Sequence, residues 1–292
     1  MLKIGITSRA LFDLDSSHLI FEQSGLDAYK EHQVKEENNP LNPGQAFSLV
    51  KKLLSLNSKF KDEKLVEVIL LSRNSADTGL RIFNSIQHHG LDIKKAAFCG
   101  GNSPHIYAKS FGAHLFLSTE FEDCKSSILS GTASARIIPS KQSTFNEENL
   151  RVAFDGDSVV FSEESQKIYD EQGLEAFDKN EKDLANNPMT GGPFKPFLNE
   201  LYKVQQSFPT NECPIRIALV TARSAPSHER VIKTLREWKI RIDESLFLGG
   251  MDKSSFLKDF GADIFFDDQI ENCQSASLEV PTGQVINFNS RN

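Results

Sequence analysis

Polar side chains that could do phosphate chemistry follow each short apolar segment in the C-terminal half of the sequence. Two aspartates follow the first segment and two follow the last, with a threonine and a lysine after the segments between them. A divalent cation offsets the repulsion among clustered carboxylates, and oxygen-only ligands favour Mg²⁺. One carboxylate of such a set can attack phosphorus, a second can transfer a proton, and the lysine and hydroxyl can neutralise phosphoryl oxygens. The candidates are Asp155, Asp157, Thr221, Ala222, Arg223, Lys253, Asp267 and Asp268.

Each of these features taken alone also has a simpler interpretation. The Asp-Gly-Asp stretch could be a solvated turn, and Thr221 could cap a helix. Lys253 could be an ordinary solvated side chain, and the Asp267-Asp268 pair could cap the helix that follows. Their order along the chain favours a phosphate site, because ligands of parallel α/β sheets bind at the carboxyl ends of the strands.

The two halves of the chain resemble each other at a nearly constant spacing. Residues 69–122 align with residues 218–271 at an offset of 149, and 14 of the 54 aligned positions are identical. Upstream, residues 38–44 align with residues 186–192 at an offset of 148. A fixed offset over the length of a domain is typical of a duplication, so we predict two units of the same fold. The alternative is two unrelated α/β units with similar turns.

Short apolar strands alternate with helical segments in each half, which predicts an α/β fold with parallel sheets and helices on both faces. The polar run at 139–149 predicts a boundary between a first unit, 1–140, and a second unit, 149–292. Helices at about 162–212 should cover the active site of the second unit. Within them Phe177 and Phe194 could stack on a base, although core packing is favoured for each. The predicted strands are 4–7, 68–71, 97–99, 114–117, 152–154, 217–220, 246–248 and 263–266.

The composition predicts an ordinary soluble protein without the charge of a nucleic-acid binder. The chain has 292 residues, of which 39% are hydrophobic and 25% charged, and its net charge is −7. No apolar run reaches the roughly 20 residues of a membrane span, and the stretch MLKIGITSRALF predicts a strand rather than a signal peptide. The four cysteines form no CxxC pair, which predicts free thiols in a cytoplasmic protein.

Several strings of the sequence resemble a known enzyme family. Four stretches of the C-terminal half are similar, in their order, to the four motifs of the haloacid dehalogenase (HAD) superfamily of phosphohydrolases. They are DGD, VTARS, K and FFDD. The longer strings SRALF, GGNSP, RVAFDGDSVVFSEES, CPIRIALVTARSA and IFFDDQ resemble the cytosolic type I 5′-nucleotidases. The resemblance covers nearly the whole chain. It implies two tandem HAD-like (Rossmannoid) units, of which the second is catalytic and carries a small helical cap.

The resemblance also implies Mg²⁺-dependent hydrolysis of nucleoside 5′-monophosphates, AMP above all, through an aspartyl-phosphate. In that assignment Asp155 is the nucleophile and Asp157 is the acid and base. The metal site contains Asp155, Asp157 through its main-chain carbonyl, Asp267 and Asp268, and which of the last two contacts the metal directly stays open. Lys253 stabilises charge and Thr221 holds the phosphoryl group. The substrate-binding residues are Thr221, Ala222, Arg223 and Lys253.

The N-terminal half lacks every one of these carboxylates at the aligned positions. We therefore predict that residues 1–140 neither hold the metal nor form the phosphoenzyme. Donors remain at their strand ends, either as ordinary polar loop residues, which we favour, or as a second nucleotide or phosphate site near Arg9 and Arg73. The residues aligned with the catalytic set are Thr7, Arg9, Ser72, Pro104, Ser118 and Thr119.

Two alternatives to a nucleotidase stay open at this point. One is a phosphatase for another small ester, such as a sugar phosphate or phosphoserine. The other is a non-catalytic, nucleotide-binding regulatory protein on the same fold. The intact set in the second half favours the enzyme. The preference for base and sugar, the effectors and the oligomeric state stay open, and a homo-oligomer is one of the alternatives.

Overall fold

Each half of the chain folds into a parallel sheet flanked by helices, which confirms the predicted α/β class. The computed structural model describes residues 1–60, 63–140 and 149–286. The chain divides into two units, Met1–Pro139 and Ser140–Asn292, and each has its own buried apolar core. Most of the predicted boundary run, at 141–148, lies outside the described residues.

The N-terminal unit has five described strands and six described α-helices. The strands are β1 (Leu2–Ile6), β2 (Val66–Ser72), β3 (Lys95–Phe98), β4 (Leu115–Ser118) and β5 (Ala133–Ile138). The helices are α1 (Ser8–Leu11), α2 (Asp15–Lys35), α3 (Phe47–Ser55), α4 (Leu80–His88), α5 (His105–Ser110) and α6 (Phe121–Leu129). The strands pair in parallel in the order β3–β2–β1–β4–β5. Six of the seven residues of β2 are buried, as a strand covered on both faces requires.

The C-terminal unit has five described strands and five described α-helices. The strands are β6 (Leu150–Phe154), β7 (Ile215–Thr221), β8 (Glu244–Phe247), β9 (Ile264–Asp267) and β10 (Thr282–Val285). The helices are α7 (Glu164–Asp183), α8 (Lys195–Gln206), α9 (His228–Glu237), α10 (Ser254–Phe260) and α11 (Ile270–Ala276). All strand pairs are parallel, and their order is β8–β7–β6–β9–β10. This order repeats that of the N-terminal unit, strand for strand.

The two units also share local backbone features at aligned positions. The long helix between the first and second strands is interrupted by a glycine in each unit, Gly25 in α2 and Gly173 in α7, both with φ of 82°. An isolated antiparallel bridge joins Phe12 to Pro43 in the first unit. The corresponding bridge in the second unit joins Phe161 to Gly191.

The sequence predicted four strands in each unit, and the structure adds a fifth. These additional strands, β5 and β10, are buried along almost their whole length. Half of their ten residues are Ala, Ser, Thr or Gly, and Arg136 and Gln284 are polar, so neither strand has the apolar run by which a buried strand is predicted.

The segment 162–212 contains α7 and α8, and three of its phenylalanines are buried. Phe194 is fully buried, and its ring centroid lies 4.9 Å from that of Phe266 on β9. Phe197 of α8 packs on Phe154, with 6.2 Å between the ring centroids. Phe177 is 7% exposed. Among the described helices, none is long and apolar enough to cross a membrane.

Candidate functional site

The site begins where β6 ends, at the carboxyl edge of the C-terminal sheet. The backbone N–H of Asp155 donates to the carbonyl of Phe266 at 2.8 Å, which extends the pairing of β6 with β9 by one step. Asp155 therefore lies beside Asp267, the last residue of β9. Both carboxylates are almost completely buried, at 6% and 0% exposure.

Three carboxylates come together at this edge. Asp155, Asp267 and Asp268 each offer one oxygen, and these three oxygens lie within 4.8 Å of one another. Among the described residues, these three carboxylates are the one set of Asp, Glu, His or Cys side chains that are close enough together to hold a metal ion. Its donors are all oxygens, the ligand type that Mg²⁺ prefers.

Lys253 joins two of the three carboxylates. Its Nζ donates to Oδ1 of Asp155 at 2.7 Å and to Oδ2 of Asp267 at 2.6 Å. Lys253 is the N-cap residue of α10, so the helix fixes the backbone position from which this side chain extends. Burial lowers the pKa of Lys253, but the two carboxylates outweigh burial and hold that pKa above its ordinary value. The lysine is therefore charged in the buried site.

The cluster contains more acidic groups than one lysine compensates. Burial raises the pKa of Asp155 to about 7; Lys253 opposes this shift and Asp267 adds to it. Burial raises the pKa of Asp268 to about 8, and the charges of Asp155 and Asp267 add to that shift. Without another cation, the site therefore resists full ionisation of its carboxyl groups near neutral pH, as expected for acids that share a buried position.

Thr221 ends β7 next to the backbone that follows Asp155. It is 1% exposed, and its Oγ1 accepts a hydrogen bond from the backbone N–H of Arg223 at 3.2 Å. A Cβ placed on Gly156 would lie 3.3 Å from Oγ1 of Thr221. Glycine at this position therefore allows the Asp-Gly-Asp turn to pass close to the threonine. Ala222, the next residue, is exposed.

The carboxylate of Asp157 is not part of the metal-type cluster; it forms an ion pair with Arg223. Nε and Nη2 of Arg223 donate to the two oxygens of Asp157 at 2.8 and 2.6 Å. Nη1 of Arg223 donates to Glu181 of α7 at 2.5 Å, and Glu181 also accepts from Arg230 at 2.9 Å. The Arg223 side chain is 2% exposed and each of its three nitrogens has a carboxylate partner. This geometry suits an arginine that positions Asp157.

Sequence reasoning missed Glu181, Arg230 and Asn272. Asn272 of α11 donates to Oδ2 of Asp267 at 3.1 Å. Glu181 lies in a polar stretch of α7 with no sign of burial, yet it is 1% exposed. Only Arg230 had a signal in the sequence, because the internal alignment places it opposite an identical residue, Arg81.

Comparison with known proteins identifies the family. The whole chain, residues 1–292, matches the family model described as 5′-nucleotidase. Over 286 residues it is 40% identical to cytosolic 5′-nucleotidase 1B of Homo sapiens, which covers 94% of this chain and 47% of that protein. The chain thus spans about half the length of this curated relative.

A solved structure, histidinol dehydrogenase from Elizabethkingia anophelis, aligns over 98% of this chain and 81% of its own at 9% identity. Its TM-score of 0.26 is too low to carry an argument about fold or function. The match to the family model over the full chain, together with the identity to the human protein, shows that the chain belongs to the 5′-nucleotidase family.

Proposed function

We propose that this protein is a cytoplasmic, Mg²⁺-dependent 5′-nucleotidase that hydrolyses nucleoside 5′-monophosphates, with AMP as the favoured substrate. Membership of the family supports nucleotide hydrolysis, and the name of the human relative supports a cytosolic enzyme. The observation that carries the proposal is the buried cluster of Asp155, Asp267 and Asp268 with Lys253 at the carboxyl edge of the sheet.

The donor set of the cluster fits Mg²⁺. Three carboxylates converge on one point and are only partly neutralised by one lysine. Asp155, Asp267 and Asp268 would hold the ion, with the main-chain carbonyl of Asp157 as a further oxygen ligand. When bound, Mg²⁺ would neutralise negative charge on the phosphoryl oxygens. A hard cation at these oxygens would also offset the burial and the carboxylate repulsion that raise the pKa values of Asp155 and Asp268.

The side chains of this unit then divide the reaction into two steps. A carboxylate oxygen of Asp155 attacks phosphorus, the bond from phosphorus to the 5′-oxygen breaks, and Asp157 gives that oxygen its proton. In the second step Asp157 takes a proton from water, the water oxygen attacks phosphorus, and the bond to Asp155 breaks. The products are the nucleoside and inorganic phosphate. Thr221 and Lys253 stabilise the charge that develops on the phosphoryl oxygens.

Arg223 positions Asp157 for this proton transfer. Both oxygens of Asp157 accept hydrogen bonds from Arg223, so at least one of these bonds must open when Asp157 carries the proton. Glu181 holds the other side of the same guanidinium, which keeps Arg223 in place while the carboxyl group changes state. Because Glu181 belongs to α7, this contact also supports the proposal that the helices at 162–212 cap the active site.

We further propose that residues 1–140 and 149–292 arose by duplication and that the first unit has lost catalysis. The common strand order, the matching kinks at Gly25 and Gly173, and the matching bridges support this proposal. In the first unit Thr7 and Arg9 align with the two aspartates of the DGD turn. A nucleophilic carboxylate is therefore missing at the aligned strand end.

Phosphate release from a panel of substrates tests the proposed activity. The purified chain is treated with EDTA and then assayed with and without Mg²⁺ on AMP, IMP, GMP, CMP, a sugar phosphate and phosphoserine. We expect hydrolysis of the nucleoside monophosphates only when Mg²⁺ is restored, with AMP the fastest. Faster hydrolysis of the sugar phosphate or phosphoserine would favour a different phosphatase, and no hydrolysis of any ester would favour a binding protein.

A further inference from the structure

The N-terminal unit contains a cavity at the carboxyl edge of its own sheet. Its volume is about 770 Å³, within the range of pockets that hold small ligands. The residues after β1, β2 and β4 form its floor, and residues of α2 form one wall. None of the lining residues belongs to the carboxylate cluster of the C-terminal unit.

Two buried polar atoms in this cavity have no hydrogen-bond partner in the part of the chain that the structure describes. Oγ1 of Thr7 and Nδ2 of Asn74 make no hydrogen bond to any described residue. Thr7 is 7% exposed and follows β1, and Asn74 follows β2. An unmade hydrogen bond of a buried group is unfavourable, so a ligand with acceptor oxygens would stabilise this edge. The other side of the Asn74 amide is already fixed, because its Oδ1 accepts from the Tyr29 hydroxyl at 2.8 Å.

The charges around the cavity favour an anion. Four cationic residues line it against three carboxylates. Arg73 pairs with Asp123, and Arg9 pairs with Glu120 at 3.2 Å. Arg136, by contrast, donates to the carbonyl of Thr119 at 3.3 Å and joins no ion pair with any described residue. Its guanidinium therefore has donors left for a phosphate, whose oxygens it can bind in pairs.

Arg136 occupies an informative place in the sheet. It lies on β5 in register with Ser118, the last residue of β4. At the equivalent register of the C-terminal unit, Gln284 lies opposite Asp267, one of the metal-type carboxylates. The N-terminal edge thus has an arginine and a serine in the place of a glutamine and an aspartate, so it can bind an anion directly, without a metal ion.

The opposite wall of the cavity is apolar and aromatic. Phe21 and Leu26 of α2 line it together with Tyr29. The ring of Phe21 is 44% exposed and stands edge-on to Tyr29, with 6.2 Å between the centroids. An exposed aromatic ring beside a cavity provides a surface on which a flat heterocycle can stack.

We propose that this cavity is a second, non-hydrolysing nucleotide site that binds a nucleoside monophosphate without metal. Thr7, Asn74 and Arg136 bind the phosphate, and the base lies against Phe21. The bound nucleotide is not cleaved, because Thr7 stands where the other unit has its nucleophilic carboxylate. The site is independent of the proposed activity, so each can fail without the other.

Calorimetric titration of the full chain with AMP in EDTA tests the proposal, and photolabelling with 8-azido-AMP followed by peptide mapping locates the site. We expect binding without metal and label on the peptide that contains Phe21.

Arg136→Gln should weaken AMP binding about tenfold or more, because it removes charge-assisted hydrogen bonds to the phosphate. Phe21→Ala, at an exposed position that leaves the fold intact, should weaken AMP binding severalfold and leave binding of inorganic phosphate unchanged.

Lys95→Gln is the matched control, since it removes an exposed, ion-paired cation of the same unit outside the cavity. It should bind AMP as the unmodified chain does. Label confined to the C-terminal unit, or equal AMP affinity of the Phe21→Ala variant and the unmodified chain, would overturn the proposal. If inorganic phosphate binds as tightly as AMP, the cavity binds anions without recognising the nucleoside, and the proposal is also overturned.

Discussion

Replacement of Arg223 by methionine tests the buried ion-pair network most sharply. The change removes the charge and its hydrogen bonds while keeping a long apolar side chain. The side chain of Arg223 is 2% exposed, and the side chains of its partners Asp157 and Glu181 are 13% and 0% exposed. Removing one partner from a buried pair costs about 3–5 kcal/mol, because the remaining charge stays buried without compensation. Arg230 still reaches Glu181, so we expect the lower end of this range, about 3 kcal/mol.

Urea unfolding at neutral pH measures this loss as a shift of the midpoint at constant slope. The matched control is Arg216→Met, which breaks an ion pair to Glu244 whose side chains are 42% and 39% exposed. Such a surface pair contributes about 0–1 kcal/mol, so the control should unfold almost as the unmodified protein does. A loss below about 1 kcal/mol for Arg223→Met, equal to that of the control, would refute the reasoning.

The pH dependence of the same variant gives a second check. Burial alone would raise the pKa of Glu181, but Arg223 outweighs burial and lowers it. A lowered pKa contributes stability above the pKa of the unfolded chain, and this stability is lost as the pH falls through the pKa of the folded state. The difference in stability between Arg223→Met and the unmodified protein should therefore shrink in acid. A difference that grows in acid would contradict the assignment.

Three further predictions concern the carboxylate cluster. Lys253→Met should lower kcat for AMP by about 10²–10³-fold, since a donor to the phosphoryl group is lost; an unchanged kcat would exclude that role. In metal-free protein the melting temperature should fall as the pH rises from about 4, where these carboxyl groups ionise in the unfolded chain, to about 8, where Asp155 and Asp268 have ionised in the folded protein; Mg²⁺ should reverse the fall, and a rise would contradict it. Ca²⁺ should restore little activity after EDTA because its shell is larger and looser; full activity would refute the Mg²⁺ assignment.

Part of the site could be predicted because it depends on local sequence. In a parallel sheet, a carboxylate at the last residue of a strand or directly after it must lie at the carboxyl edge. Asp155 and Asp267 follow this rule, and their strands β6 and β9 are neighbours. The internal alignment likewise predicted which strands would correspond in the two units, and the observed strand orders agree with it.

Other features could not be predicted, because they depend on contacts between distant segments. Asp157 pairs with Arg223, which lies 66 positions further along the chain. Glu181 of α7 contacts the same guanidinium, but α7 has no apolar pattern from which the orientation of that helix could be predicted. The strands β5 and β10 were missed because small and polar residues interrupt the apolar run that predicts a buried strand. The cavity of the N-terminal unit follows from how α2 lies over three strand ends, and no motif encodes that arrangement.

The rate of phosphate release from AMP by Asp155→Asn is the most direct test of the proposed catalytic unit. An amide at this position keeps the shape of the side chain but cannot attack phosphorus, so kcat should fall by about 10³-fold or more. Asp259→Asn, which changes an exposed carboxylate of α10 in the same unit, is the control and should keep full activity. A kcat of Asp155→Asn within about tenfold of the control, in folded protein with Mg²⁺ present, would contradict the account.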